Sequence, residues 1–214
     1  MRIGIIGSGG LGSNIARVLA SRQVPATIAN RRGPASLAPL VAELGPSITA
    51  GTVAEAASAD IVLVAVRWVD LGTALAGLPA WNGRIVIDGT NPVAFLEPGS
   101  PEASDPTNPL AAWGIKEIDL GGRASTDVFS GFVPGARVVK AFNHLDVQVL
   151  AQPTVPGGRR VQFYSGDDAN AKAEVRALID AMGHFPVDLG SIEVGGRLAS
   201  LPFGALAATH FIAL

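Results

Sequence analysis

The segment Gly7-Ser8-Gly9-Gly10-Leu11-Gly12 follows a short β-branched apolar run, Arg2–Ile6. It opens a stretch with apolar residues at Leu11, Ile15, Val18 and Leu19. That spacing predicts a helix over Leu11–Ser21. GxGxxG alone is a weak signal, but between a strand and a helix it gains a physical meaning. Gly7 permits the tight turn, Gly9 lets the backbone approach a pyrophosphate, and Gly12 lets the helix pack close to the strand. The free N–H groups and the helix dipole then favour phosphate. The blander alternative, a glycine-rich turn with no ligand, does not account for both flanking elements.

The pattern after the loop is consistent with that reading. Pro25–Ala29, Ile48–Ala50, Asp60–Val66 and Arg84–Asp88 are strand-like, and Ala35–Leu44 and Val53–Ala57 helix-like. This alternation predicts an α/β fold, a doubly wound and mainly parallel Rossmann sheet. Glu97–Pro109, rich in Pro, Ser and Asp, reads as a long mobile or functional loop. Further strands are expected at Glu117–Leu120, Arg137–Phe142, Arg160–Ser165 and Phe185–Leu189, with a helix over Asp167–Met182. The expected organisation is a nucleotide-binding unit over 1–143 and a small C-terminal α/β extension over 144–214 for substrate and dimer contacts.

Charged residues make up 16% of the 214, against about 25% in an average domain. The deficit, together with the apolar tail from Gly195 to Leu214, suggests a homodimer surface; the competing view folds the tail onto its own domain. A net charge of −2 with no basic run gives nothing to attract nucleic acid or an anionic membrane. No apolar stretch reaches the ~18 residues of a membrane span, and the stretch before Gly7 is too short for a signal peptide. A soluble, cytoplasmic protein is expected. Cysteine is absent, which excludes disulfides and thiolate metal sites. His184 and His210 lack ligand spacing, so no metal site is expected. Asp167 and Asp168 read as a helix cap.

The end of the second strand speaks to the type of dinucleotide. NAD-binding chains carry a carboxylate there for the ribose 2′-hydroxyl. This chain has Asn30-Arg31-Arg32, and no Asp or Glu occurs between Gly12 and Glu43. An amide and two guanidinium groups suit a 2′-phosphate, hence NADP(H); a solvated arginine pair is the alternative. Val66-Arg67-Trp68 and Thr90-Asn91-Pro92 fall at later strand exits, beside the expected cofactor crevice. Trp68 can simply be core, the more frequent fate of a tryptophan. Lys140-Ala141-Phe142-Asn143-His144 offers a possible proton donor, but pocket lining or cofactor contact is favoured. No residue is assigned as catalytic.

With these residues in view, the chain resembles the NADPH-dependent reductases of the deazaflavin coenzyme F420. The resemblance rests on GIIGSGGLGSNIA, ANRRGPASL, ADIVLVAVRW, IVIDGTNP, PGARVVKAFNHL and FYSGDDANAKAEVRALIDAMGHFPVDLG. It implies an NADP-binding domain and direct hydride transfer between stacked rings, with few side chains acting chemically. Carried over, Gly7, Ser8, Gly9, Gly10, Leu11 and Gly12 hold pyrophosphate, and Asn30, Arg31 and Arg32 hold the 2′-phosphate. Val66, Arg67 and Asn91 lie along the cofactor, and Ala141 lies near the nicotinamide. The tail GGRLASLPFGALAATHFIAL differs from that of the deazaflavin-using members. The implied acceptor is therefore F420 or a flavin, with a ferric or flavin reductase as a close alternative. A non-catalytic NADP(H)-binding redox sensor is the contrasting reading; it gains if Arg67 and Trp68 block the nicotinamide face.

Overall fold

The computed structural model describes residues 1–214. The N-terminal part alternates β1 (Ile3–Ile6), α1 (Gly10–Ser21), β2 (Ala26–Ala29), α2 (Ala38–Leu44), β3 (Ile48–Gly51), α3 (Val53–Ala57), β4 (Ile61–Val64), α4 (Leu71–Leu75) and β5 (Ile85–Asp88). Then come β6 (Val93–Phe95), β7 (Ile115–Glu117), α5 (Ser125–Ser130), β8 (Arg137–Ala141), α6 (Val147–Leu150) and β9 (Thr154–Val155). The chain ends with β10 (Gly158–Gly166), α7 (Ala169–Ala181), β11 (Phe185–Asp188), α8 (Arg197–Ala199) and β12 (Ile212–Ala213).

The main sheet runs β3-β2-β1-β4-β5-β8-β10-β11. From β3 to β8 all pairings are parallel; β10 lies antiparallel to β8 and parallel to β11. The fold is therefore the doubly wound α/β class. Its strand order reverses at β1, where chain order turns from leftward to rightward and the crevice opens. β1, β4 and β5 are buried at every position, which is why their sequences are near-continuous apolar runs, with a charge only at Asp88 on the β5 exit, rather than alternating ones.

The period of two sorts the strand residues between two cores. Ile3, Ile5, Ile61, Leu63, Ile85 and Ile87 pack with α1 and α7 on one face. Ile6, Val62, Val64 and Val86 pack on the other face with Ala56, Leu71 and Phe129, from α3, α4 and α5. A capping box, Thr52 with Glu55, fixes the start of α3. The hydroxyl of Thr52 accepts from the N–H of Glu55 at 3.2 Å, and the N–H of Thr52 donates to the carboxylate of Glu55.

Some expectations need correction. The strand expected at Glu117–Leu120 lies at Ile115–Glu117 instead and leaves the main sheet. It pairs antiparallel with β6 to form a separate two-stranded arm, Phe95 opposite Ile115. Ile118 and Leu120, which drew the expectation, are partly buried against the α3–α5 core. The helix expected over Ala35–Leu44 begins as a 3-10 turn, Pro34–Leu37, and becomes α-helical only from Ala38; Pro39 occupies a first-turn position, where no N–H is needed. Asp168 caps α7 by accepting from the N–H of Ala171 at 2.7 Å, whereas Asp167 accepts from the N–H of Ile192.

The stretch after Asn143 adds β10 and β11 to the same sheet, so residue 143 marks a change of strand direction. The apolar tail returns onto this part: Ile212 pairs with Arg160, and the N–H of Ala208 donates to the carbonyl of His144 at 2.7 Å.

Candidate functional site

A cavity of about 1130 Å³ opens along the C-terminal ends of β2, β1, β4, β5 and β8. Four inter-strand steps of about 4.8 Å put its ends roughly 19 Å apart. It exceeds the usual ~300–1,000 Å³ of a single small-molecule site.

At its centre lies the glycine loop. Gly7 has φ +114°, and a Cβ on it would stand 2.2 Å from the carbonyl oxygen of Ala65. A Cβ on Gly12 would stand 2.0 Å from the carbonyl oxygen of Gly7. These two glycines are demanded by packing within the protein. Gly9 differs: a Cβ there would meet nothing within 4 Å. Its bareness serves whatever enters the cavity. Gly9 is also the N-cap of the twelve-residue α1, and no side chain caps that helix. Its first-turn N–H groups and positive dipole end face the cavity without a protein carboxylate.

Gly7, Ser8, Gly9, Gly10, Leu11, Asn30, Arg31, Arg32, Val66, Arg67 and Asn91 all line this cavity. Gly12 and Ala141 do not: Gly12 lies in the helix packed on the loop, and Ala141 is wholly buried in the core.

The roles within that set divide. Asn30 donates from Nδ2 to Ser8 Oγ at 2.9 Å, and its Oδ1 accepts from the N–H of Arg32 and from Ser36 Oγ. The amide thus ties the end of β2 to the glycine loop and shapes the turn that presents the arginines. Arg31 and Arg32 are exposed, and neither is paired with a carboxylate. Two guanidinium groups at one end of a cavity, with no internal partner, are suited to a phosphate.

Arg67 is engaged: its Nε stands 2.7 Å from Asp70 Oδ2. The hydrogen bond and charge of Asp70, with the charge of Glu97 adding, hold the guanidinium pKa above its ordinary value. Trp68 is 9% exposed and sits mainly in the core with Val64 and Leu71. Neither residue fills the cleft, which continues past them.

At the β5 and β8 exits a reciprocal amide pair closes the floor. Asn91 Nδ2 donates to the carbonyl of Asn143 at 2.7 Å, and Asn143 Nδ2 donates to Asn91 Oδ1 at 3.0 Å. The pair also holds the tail: Asn143 Nδ2 reaches the carbonyl of Ala199, and the N–H of Leu201 donates to Asn91 Oδ1. Leu201 thereby becomes part of the cavity wall. Between them, Phe142 has φ +65°, a left-handed conformation costing an aromatic residue about 1–3 kcal/mol. It lines the cavity where Ala141 was expected to.

Lys140 and His144, candidates from the same segment, are outside the cavity. Lys140 is buried against Asp88, and burial pulls its ammonium pKa below the ordinary value while Asp88 offsets part of that. His144 lies against Phe163, ring centroids 4.7 Å apart, and burial depresses its pKa to about 3.

Sequence reasoning missed the far wall. Phe95 on β6 and Trp113 in the 3-10 turn Ala111–Trp113 are 63% and 69% exposed, yet both line the cavity with Val93 and Ile115. The available signal was the long loop at Glu97–Pro109: it is the tip of the arm, and these aromatics flank it.

A doubly wound sheet with an uncapped glycine-loop helix and a free arginine pair at its crevice has the features of a dinucleotide site of the Rossmann type. A family model described as NADP oxidoreductase, coenzyme F420-dependent, matches residues 2–92. The match covers β1 to the exit of β5, the part that carries the glycine loop and the arginine pair. It is 37% identical to a hypothetical protein of Sinorhizobium meliloti, whose crystal structure superposes with a TM-score of 0.87 over 100% of this chain and 97% of that one. A protein of Arthrobacter sp. FB24, provisionally described as an F420-dependent NADP reductase, is 26% identical with a TM-score of 0.64, over 90% of this chain and 86% of that one. The metalloreductase STEAP3 of Rattus norvegicus is 27% identical over 210 residues, 96% of this chain. The chain spans 37% of the length of that curated relative. No helix is long and apolar enough to cross a membrane.

Proposed function

We propose that the protein is an NADP(H)-dependent oxidoreductase that moves hydride between the nicotinamide and a planar redox acceptor, coenzyme F420 or a flavin. The observation that carries this reading is the continuity of one cavity, from the unpaired Arg31 and Arg32, past the bare Gly9, to the aromatic arm. Bound along it, NADPH would supply a hydride. Arg31 and Arg32 would hold the 2′-phosphate, and Ser8 to Leu11 would offer N–H groups to the pyrophosphate. Phe142, Asn143 and Asn91 form the floor for the reacting ring, and Leu201 from the tail excludes water beside it.

No histidine lines the cavity, and its carboxylates, Asp70 and Asp146, are occupied by Arg67 and by the N–H of Gln148. The protein's contribution is positioning and desolvation, which suits a direct transfer between rings.

Arg67 turns to Asp70 and the cleft stays open beyond Trp68, which favours hydride transfer over a non-catalytic sensor. Reduction of a ferric chelate is the second reading, favoured by the likeness to a metalloreductase. Pairing of two copies through the tail belongs to the same proposal: Val194, Phe203 and Phe211 stay exposed after the tail has packed.

The test is anaerobic oxidation of NADPH, followed at 340 nm, with F420, flavins and ferric chelates as acceptors. Turnover with a flat ring supports the proposal. Tight NADPH binding without turnover on any acceptor overturns it.

A further inference from the structure

The two ends of the cavity differ in charge. Arg31 and Arg32 stand unpaired at the β2 end. Beyond β4 the remaining lining cation is Arg67, held by Asp70 at 2.7 Å and faced by Glu97. The walls there are Leu78, Val93, Phe95, Trp113, Ile115 and Leu201. Lys116, next to Ile115 on β7, does not line the cavity.

An acceptor entering here meets aromatic and aliphatic surface and no unpaired lining cation. Flat rings gain from such surface by stacking. A phosphate or a run of carboxylates gains no free cation there, since Arg67 is held by Asp70. An exposed tryptophan and phenylalanine inside a ligand cavity, on an arm outside the main sheet, have no packing role that explains them.

We infer that the β6–β7 arm, through Trp113 and Phe95, is a binding site for an uncharged planar redox ring, such as riboflavin or a simple quinone, in preference to phosphorylated or polyanionic forms, F420 included. This rests on the proposed function and narrows its acceptor. The acceptor ring takes one hydride from NADPH and one proton from water, leaving NADP⁺ and the dihydro form.

The test uses the full chain saturated with NADP⁺, titrated with riboflavin, FMN and menadione. Riboflavin and FMN are read by flavin fluorescence, menadione by calorimetry. Riboflavin is expected to bind with its emission quenched, and FMN about fivefold more weakly, a deficit that shrinks with added salt. Trp113→Ala, at an exposed position, is expected to weaken riboflavin about tenfold with NADPH affinity unchanged. Asp70→Asn frees Arg67 and is expected to improve FMN. The relative affinities of riboflavin and menadione tell a tricyclic ring from a quinone. FMN binding as well as riboflavin overturns the inference, as does an unchanged riboflavin affinity in Trp113→Ala. The expected binding pattern without turnover overturns hydride transfer but leaves the site standing.

Discussion

Lys140 Nζ lies 2.9 Å from Asp88 Oδ2, and neither side chain reaches solvent. Asp88 Oδ2 also accepts from Thr126 Oγ1, its Oδ1 accepts from the N–H and hydroxyl of Thr90, and Lys140 donates to the carbonyl of Thr90. The network clamps the ends of β5 and β8 to α5, directly beneath the Asn91–Asn143 floor. Lys140→Met strands a buried carboxylate, which typically costs about 3–5 kcal/mol. A fall in melting temperature of roughly 10 °C is expected in calorimetry. A wild-type melting temperature would show that the pair carries no structural weight.

Arg31 has no protein partner, so its removal should be felt by the 2′-phosphate alone. Arg31→Ala is expected to weaken NADPH by about 1.5–3 kcal/mol and to leave NADH nearly unchanged. Isothermal titration of both cofactors checks this; equal losses would refute the 2′-phosphate role.

Asn30 should behave differently from its neighbour. Its side chain spends three hydrogen bonds on Ser8, Arg32 and Ser36, so Asn30→Ala loosens the glycine loop as well as the arginine turn. NADPH and NADH should both weaken, by about 1–3 kcal/mol. Selective loss of NADPH would place Asn30 on the phosphate instead of on the loop.

His144 and His184 are buried and neutral, with pKa values depressed by burial from 6.5 to about 3 and about 4. His184 Nε2 donates to the carbonyl of Leu150 at 3.1 Å, and Gln162 Nε2 donates to His144 Nδ1 at 3.2 Å. Protons bind the unfolded chain first, so this stability is complete above pH 6.5 and is lost as pH falls toward 4. Each ring contributes a slope of about 1.4 kcal/mol per pH unit in that window. Urea denaturation at pH 7, 6 and 5 measures it. His184→Gln should reduce the slope by one proton, and equal stability at pH 7 and 5 would contradict the assignment.

Local patterns made the N-terminal half legible. Ile3–Ile6, Ile61–Val64 and the run Ile85-Val86-Ile87 are apolar because both faces of a parallel strand are covered. Gly7 and Gly12 are glycine because neighbouring carbonyls leave no room for a Cβ, and the run without a carboxylate up to Glu43 carried the cofactor reading. Each of these is a short-range constraint, written in consecutive residues. The arm was not legible, since Val93–Phe95 and Ile115–Glu117 are three-residue strands whose pairing closes over nineteen intervening residues. Neither run is long enough to carry a period.

Lys140-Ala141-Phe142-Asn143-His144 shows the same division within five residues. Its composition announced chemistry, but alternation in β8 and the left-handed turn at Phe142 distribute the side chains to different surroundings. Lys140 goes to a buried carboxylate, Phe142 and Asn143 to the cavity, and His144 to the layer beneath the tail. Which partner each one meets, Asp88, Asn91 or Gln162, depends on strands and loops 18 to 52 residues away. The glycine loop is a local property of this chain. The aromatic end of its cavity exists only once distant segments pack against one another.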